Sequence, residues 1–149
     1  MAATVVVLLV PFGSGDGTPT GPEDRAGKGQ TLPEWISCAT TIAVGDVTAV
    51  REDEPGPGRI IVELHVTDQI KPPEGGRKIF LRGNDPARVD DRQRIEPGRR
   101  VLVVVPRRYD EELEFFQGAE LSKYRALIES HSDRAADTPC PPFWSRTAP

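Results

Sequence analysis

The chain has two cysteines, two histidines and 6% aromatic residues in 149 positions, and each scarcity removes a class of function. Cys38, His65, His131 and Cys140 have no zinc-ligand spacing, so no metal centre is expected and no cofactor is implied. No serine sits in a G-x-S-x-G turn, and in "SHSD", Ser130–Asp133, the residue types of a triad lie too close along the chain to form one. His131 is therefore expected at a solvated helix end and His65 on the polar face of a strand, with no catalytic residue. "GSGDG" lacks the lysine and following helix of a phosphate loop. "YDEELE", Tyr109–Glu114, and the pair Asp90–Asp91 do not match a twelve-residue calcium loop, so they are expected to be solvated turns.

Long apolar runs are missing too. The longest, Ala2–Val10, is too short to span a bilayer and has the length of a signal-peptide core, without a basic stretch before it. Residues 1–12 are expected to be the end of a signal peptide or membrane anchor whose start lies upstream, with an apolar tail or an edge strand as the alternative. No lipobox cysteine follows. Residues 13–30, "GSGDGTPTGPEDRAGKGQ", have almost nothing to bury and read as a flexible linker. Such a chain is expected outside the cytoplasm, secreted or held to a membrane by its N-terminus. There, Cys38 and Cys140 would form one disulfide. Closing a loop of roughly 100 residues stabilises a fold by about 4–5 kcal/mol in the chain-entropy model.

The remainder, 31–144, fits one domain, with 145–149 as a disordered tail. Thr31-Leu32-Pro33-Glu34 has the form of a capping box, predicting a helix over Leu32–Ala39. Ile42 and Val44 then alternate in strand fashion, but after Gly45 the apolar positions become Val47 and Ala49, which predicts a β-bulge at the glycine. "RIIVELHVTDQI" alternates with Ile60, Val62, Leu64 and Val66 on one face. "RKIFLRG" and "EELEFFQG" are shorter strands, and "RRVLVVVPRR" is apolar at both parities, hence central. "NDPARVDDRQRIEPG" is too broken by proline and charge for a long helix. Leu121, Tyr124, Leu127, Ile128 and His131 have helical spacing and predict an amphipathic helix of about 13 residues, followed by an extended tail holding Cys140, Phe143 and Trp144. A Cys38–Cys140 bridge would place Trp144 near Trp35. No internal repeat is visible. These elements describe a mainly β chain, a small five-stranded OB-like barrel with a short N-terminal helix and a C-terminal helix.

Val44-Gly45-Asp46-Val47 in the first strand, "VTDQIKPPEGG" closing the second and "EPGRRVLVVV" at the fourth resemble the OB-like fold of secreted bacterial domains related to tissue inhibitors of metalloproteinases. The resemblance runs from Thr41 to Gly118 and implies the fold. Two departures separate it from the inhibitory mechanism: Lys71 precedes prolines, not glycine, and no cysteine stands at a mature N-terminus to reach a protease zinc.

Charge is uneven. From Arg77 to Arg108 ten basic residues meet four acids, a balance of +6, while the rest of the chain, nine basic against nineteen acidic, carries -10. Arg77, Lys78, Arg82, Arg92, Arg94, Arg99, Arg100, Arg107 and Arg108 are thus candidates for contact with an anionic partner; Arg88 completes the ten. The alternative is that these charges are spread around the barrel and solvated. The leading expectation is a non-enzymatic extracytoplasmic interaction module whose partner is a protein or an anionic envelope component. Single-strand nucleic-acid binding is a second reading, opposed by the acidic total and by having only Phe80, Phe115 and Phe116 near strands. An enzyme of unrecognised class is the third.

Overall fold

A computed structural model describes residues 29–54, 56–89 and 92–149. The apolar N-terminal segment, most of the linker and Asp90–Asp91 lie outside the described residues. The element order is α1 (Leu32–Cys38), β1 (Ala39–Glu52), β2 (Arg59–Lys71), β3 (Lys78–Asn84), α2 (Pro86–Val89), β4 (Arg100–Pro106), β5 (Glu114–Gln117) and α3 (Gly118–Ala136). The chain is mainly β: all five strands join one antiparallel sheet in the order β3-β2-β1-β4-β5.

Helix α1 starts where its box predicts. Thr31 Oγ1 accepts from the Glu34 amide at 3.3 Å and Glu34 Oε2 accepts from the Thr31 amide at 2.8 Å, satisfying two donors at the helix start. At its other end Lys71 Nζ donates to the carbonyls of Ile36 at 2.9 Å and Ser37 at 2.7 Å. Burial first, and Arg107 second, pull the Lys71 ammonium below its ordinary pKa.

β1 is the spine of the sheet, pairing with β2 on one side and β4 on the other. Its outward positions Ile42 and Val44 pack with Leu102, Val104, Phe116, Trp35, Ile36 and Ile128 beneath α1 and α3. The opposite parity, Ala43 and Val47, faces a second core built from Val62, Leu64, Leu81, Val101, Val103 and Phe115. That inner core draws residues from both edge strands, so the sheet must curl far enough for β3 and β5 to share it. Leu113, just before β5, reaches Gly83 of β3, where a Cβ would approach its Cγ to 3.0 Å. The described residues show no ladder between β3 and β5.

An irregularity in the β1–β2 register does fall at Gly45, but it leaves the phase of β1 unchanged there. Val47 stays in phase with Ala43 on the inner face, and the inserted β1 residue is Thr48, between Val47 and Ala49 in the β2 register. A strand buried on both faces has apolar residues at both parities, which in sequence is indistinguishable from a slip in phase. What Gly45 provides is room: a Cβ would sit 2.4 Å from the His65 carbonyl oxygen. The irregularity opposite Val44 and Gly45 places its extra residue in β2 at Thr67, whose hydroxyl donates to the Val44 carbonyl.

The C-terminal helix is longer than expected, 19 residues, because it continues through "SDRAA" and buries Ala135. Cys38 and Cys140 are disulfide-bonded with their Cα atoms 4.9 Å apart. Each tryptophan has its own aromatic neighbours. Trp35 meets Phe116 at 6.3 Å and Tyr124 at 6.1 Å, while Trp144 meets Phe143 at 4.9 Å. The tail expected to be disordered from Ser145 onward is held at Arg146, whose carbonyl accepts from the Tyr109 amide.

Candidate anion cleft and the distribution of basic residues

The run Arg77–Arg108 does not fold into one basic face, because the turns distribute it and acids from elsewhere in the chain meet it. Lys78 pairs with Glu63 at 2.6 Å, and Arg100 makes a two-pronged bond to Asp46 at 2.9 and 3.1 Å. Arg99 lies 3.9 Å from Glu96. Arg92 donates to the Phe115 carbonyl and to Glu120 and lies 3.7 Å from Glu114, so it secures the β5–α3 junction. Arg108 is held by Asp110 and lies 4.1 Å from the Phe143 ring centroid, close to the staple. Arg107, exposed, donates its amide to the Cys38 carbonyl. Arg77 and Arg82 are exposed and make no salt bridge among the described residues.

These pairs set the local electrostatics. The Arg100 hydrogen bond holds the Asp46 carboxyl below its ordinary range, Lys78 does the same for Glu63, and Arg108 for Asp110. All three are ionised at neutral pH. Among the described residues no group of three histidine, cysteine or acidic side chains could hold a metal ion, and no helix is long and apolar enough to cross a membrane.

Arginines do converge at the end of the molecule away from α1. A cleft of about 230 Å³ opens between the β1–β2 turn, α2 and the loop before β4. Arg51, Arg59, Arg88 and Arg94 line it, with Glu52 and Asp85 as its acids and Val50, Ile60 and Ile95 as its apolar wall. Asp85 organises it. This carboxylate is 6% exposed; Oδ1 accepts from the Ala87 amide at 3.1 Å and Oδ2 lies 3.4 Å from Arg94 Nε. The first bond caps α2, whose opening Pro86 has no amide N–H in need of an acceptor. The Asp85 amide donates to the Gly58 carbonyl at 2.8 Å, tying α2 to the β1–β2 turn. Gly58 is required twice over: its φ is +88°, and a Cβ there would lie 3.0 Å from Arg88 Cδ.

Four guanidinium groups against two carboxylates leave the lining with an excess of two positive charges. Glu112 meets Arg59 at 3.2 Å, but Arg51 and Arg88 are exposed and make no salt bridge among the described residues. A planar guanidinium offers paired N–H donors that match two oxygens of a carboxylate, phosphate or sulfate. Arg94 was a candidate from sequence and Arg88 was counted in the basic run. Arg51 and Arg59 were missed; they flank the turn "EDEPGPGR", and only the hairpin register, with Arg59 beside Asn84, sets them next to Asp85.

A larger cleft, about 330 Å³, opens at the start of α3, lined by Arg92, Gln93, Gln117 and Glu120. Its one guanidinium is engaged by Glu120 and the Phe115 carbonyl, and Gln117 Nε2 donates to the Gln93 carbonyl, so the polar groups there close the β5–α3 corner.

Compared with known proteins, the chain matches no family model and no curated sequence.

Proposed function

We propose that this protein is a non-enzymatic interaction module of OB-like architecture, working outside the cytoplasm and receiving an anionic partner at the arginine cleft. The observation that carries the reading is the cleft: two exposed arginines, Arg51 and Arg88, that make no salt bridge among the described residues, beside a buried aspartate that fixes the backbone around them. The barrel reading is supported by the strand order. β3-β2-β1-β4-β5 with a core shared by both edge strands is the order that a five-stranded barrel would have if opened between β3 and β5. The disulfide fits an oxidising compartment, and the composition of residues 1–30 supports tethering through them.

The test uses polyphosphate as a generic polyanion and neutral dextran as its control. Wild-type protein should bind polyphosphate at low ionic strength and lose affinity steeply with added salt. R51A/R88A should lose at least about tenfold in affinity, which is about 1.4 kcal/mol. Equal binding by the two proteins would remove the cleft from the reading. Fractionation and thiol labelling test the compartment: free Cys38 and Cys140 in a cytosolic pool would overturn it.

A further inference from the structure

Only part of the sheet's outward face is covered by helices. Beyond Val44 the same face is largely exposed, with Ile61 buried within it, and the ladders fix which side chains share it. Asp46, His65 and Lys78 form one row across β1, β2 and β3; Ala49, Glu63 and Phe80 form the next; Arg51, Ile61 and Arg82 form the third. Cross-strand neighbours point to the same side, so these rows make one continuous surface.

Phe80 stands near its centre and is 61% exposed, an aromatic ring left in water on a strand whose alternate residues Ile79 and Leu81 are packed into the inner core. Its surroundings are of mixed polarity. Lys78 and Arg82 lie two residues to either side on the same face, each about 7 Å away along the strand. Directly opposite is the Glu63 carboxylate, which accepts from the Thr48 hydroxyl at 3.1 Å. The surface is continuous with the cleft through Arg51, which lines the cleft and stands two strands, about 10 Å, from Arg82 in the third row.

We infer that Phe80 is the floor of a saccharide subsite adjoining the arginine cleft, and that the anionic partner is an acidic glycan. The inference rests on the cleft reading above and adds the class of ligand. A sugar ring presents an apolar C–H face that stacks on an aromatic ring, and hydroxyls that both donate and accept. Glu63 can take hydroxyl donors, Lys78 and Arg82 can give to ring and hydroxyl oxygens, and the cleft takes the acid groups. A single-stranded nucleic acid fits less well: its backbone offers few donors to Glu63, and it stacks on successive aromatics where this face has one.

The experiment titrates full-length protein with oligogalacturonate, its methyl ester, polyphosphate and oligo-dT, using wild type, F80A, F80W and R51A/R88A. Expected are binding of oligogalacturonate but not of the ester, about tenfold weaker oligogalacturonate binding by F80A, restoration in F80W, and polyphosphate binding that F80A leaves unchanged. Phe80 is exposed, so the variant keeps its fold, checked by its melting curve. F80A binding oligogalacturonate as tightly as wild type overturns the saccharide subsite and leaves the cleft reading standing. R51A/R88A binding polyphosphate as wild type does overturns both. Tighter, Phe80-dependent binding of oligo-dT replaces the glycan with nucleic acid and overturns the inference.

Discussion

Two halves of one sheet face behave in opposite ways. Under α1 and α3, β1 presents Ile42 and Val44, fully or nearly fully buried, and β4 presents Leu102 and Val104. Further along, the same face presents Asp46, Arg100, Glu63, Lys78, Phe80 and Arg82, paired across strands and open to water. The inner face does not change character; Ala43, Val47, Val62, Leu64 and Val103 are buried together. One strand can therefore supply core at one end and a contact surface at the other while its inner parity holds the fold. The helices and the staple lie at one end, and the exposed side chains of the open half can vary at small cost.

The largest test of this division is at the staple. C38S/C140S removes closure of a loop with a sequence separation of 102, and should lower unfolding free energy by about 4–5 kcal/mol in a urea titration. Polyphosphate affinity at a temperature where the variant is folded should be unchanged. A loss of affinity as large as the loss of stability would show that the two ends are not separable. Next is G45V, at the crossing of both halves. A side chain there meets the His65 carbonyl and Leu64, so β1 and β2 must part, at about 2–3 kcal/mol. A neutral effect on the melting temperature would mean that the strand approach is looser than described.

Acid should act more weakly, and mainly on the open half. Asp46 and Glu63 have folded-state pKa values below their unfolded ones, so the stability they contribute is present above pH about 4 and lost as pH falls through the lower folded values. Urea midpoints from pH 6 to pH 2 should decline less in D46N/E63Q than in wild type. Parallel declines would locate the acid sensitivity elsewhere. The smallest effect is expected for R51A/R88A, within about 0.5 kcal/mol of wild-type stability, since neither side chain is buried or salt-bridged among the described residues. A larger loss would make the cleft arginines part of the scaffold.

Local chemistry was legible in the sequence where one short stretch holds all the participants. Thr31 and Glu34 form the capping box that their spacing announces, and Ile60, Val62 and Leu64 take the inner face as their alternation requires. Reading failed where a pattern has two physical causes. Val47 after Gly45 looked like a slip in phase and is a strand buried on both sides; "SDRAA" looked like a polar tail and is the last turn of a helix whose inner side needs only Ala135. It failed again where partners lie far apart. The basic run is met by Asp46, Glu63 and Glu120, which lie outside it, whereas the cleft joins Arg51 and Arg59 to Arg88 and Arg94 through a hairpin register that single-sequence periodicity does not contain.

The staple also decides how the molecule would carry mechanical load. Tension applied between the chain before α1 and the chain after Cys140 runs through α1 to Cys38, crosses the covalent bridge and leaves along the tail. The sheet, the inner core and α3 lie within the bridged loop and bear none of it, whereas Leu32, Trp35 and Ile36, the part of the outer core that α1 supplies, lie on the loaded side. Pulling would extend only residues outside the bridge, and the contact face at the far end would keep its shape under a force that would peel an unstapled strand from its neighbours.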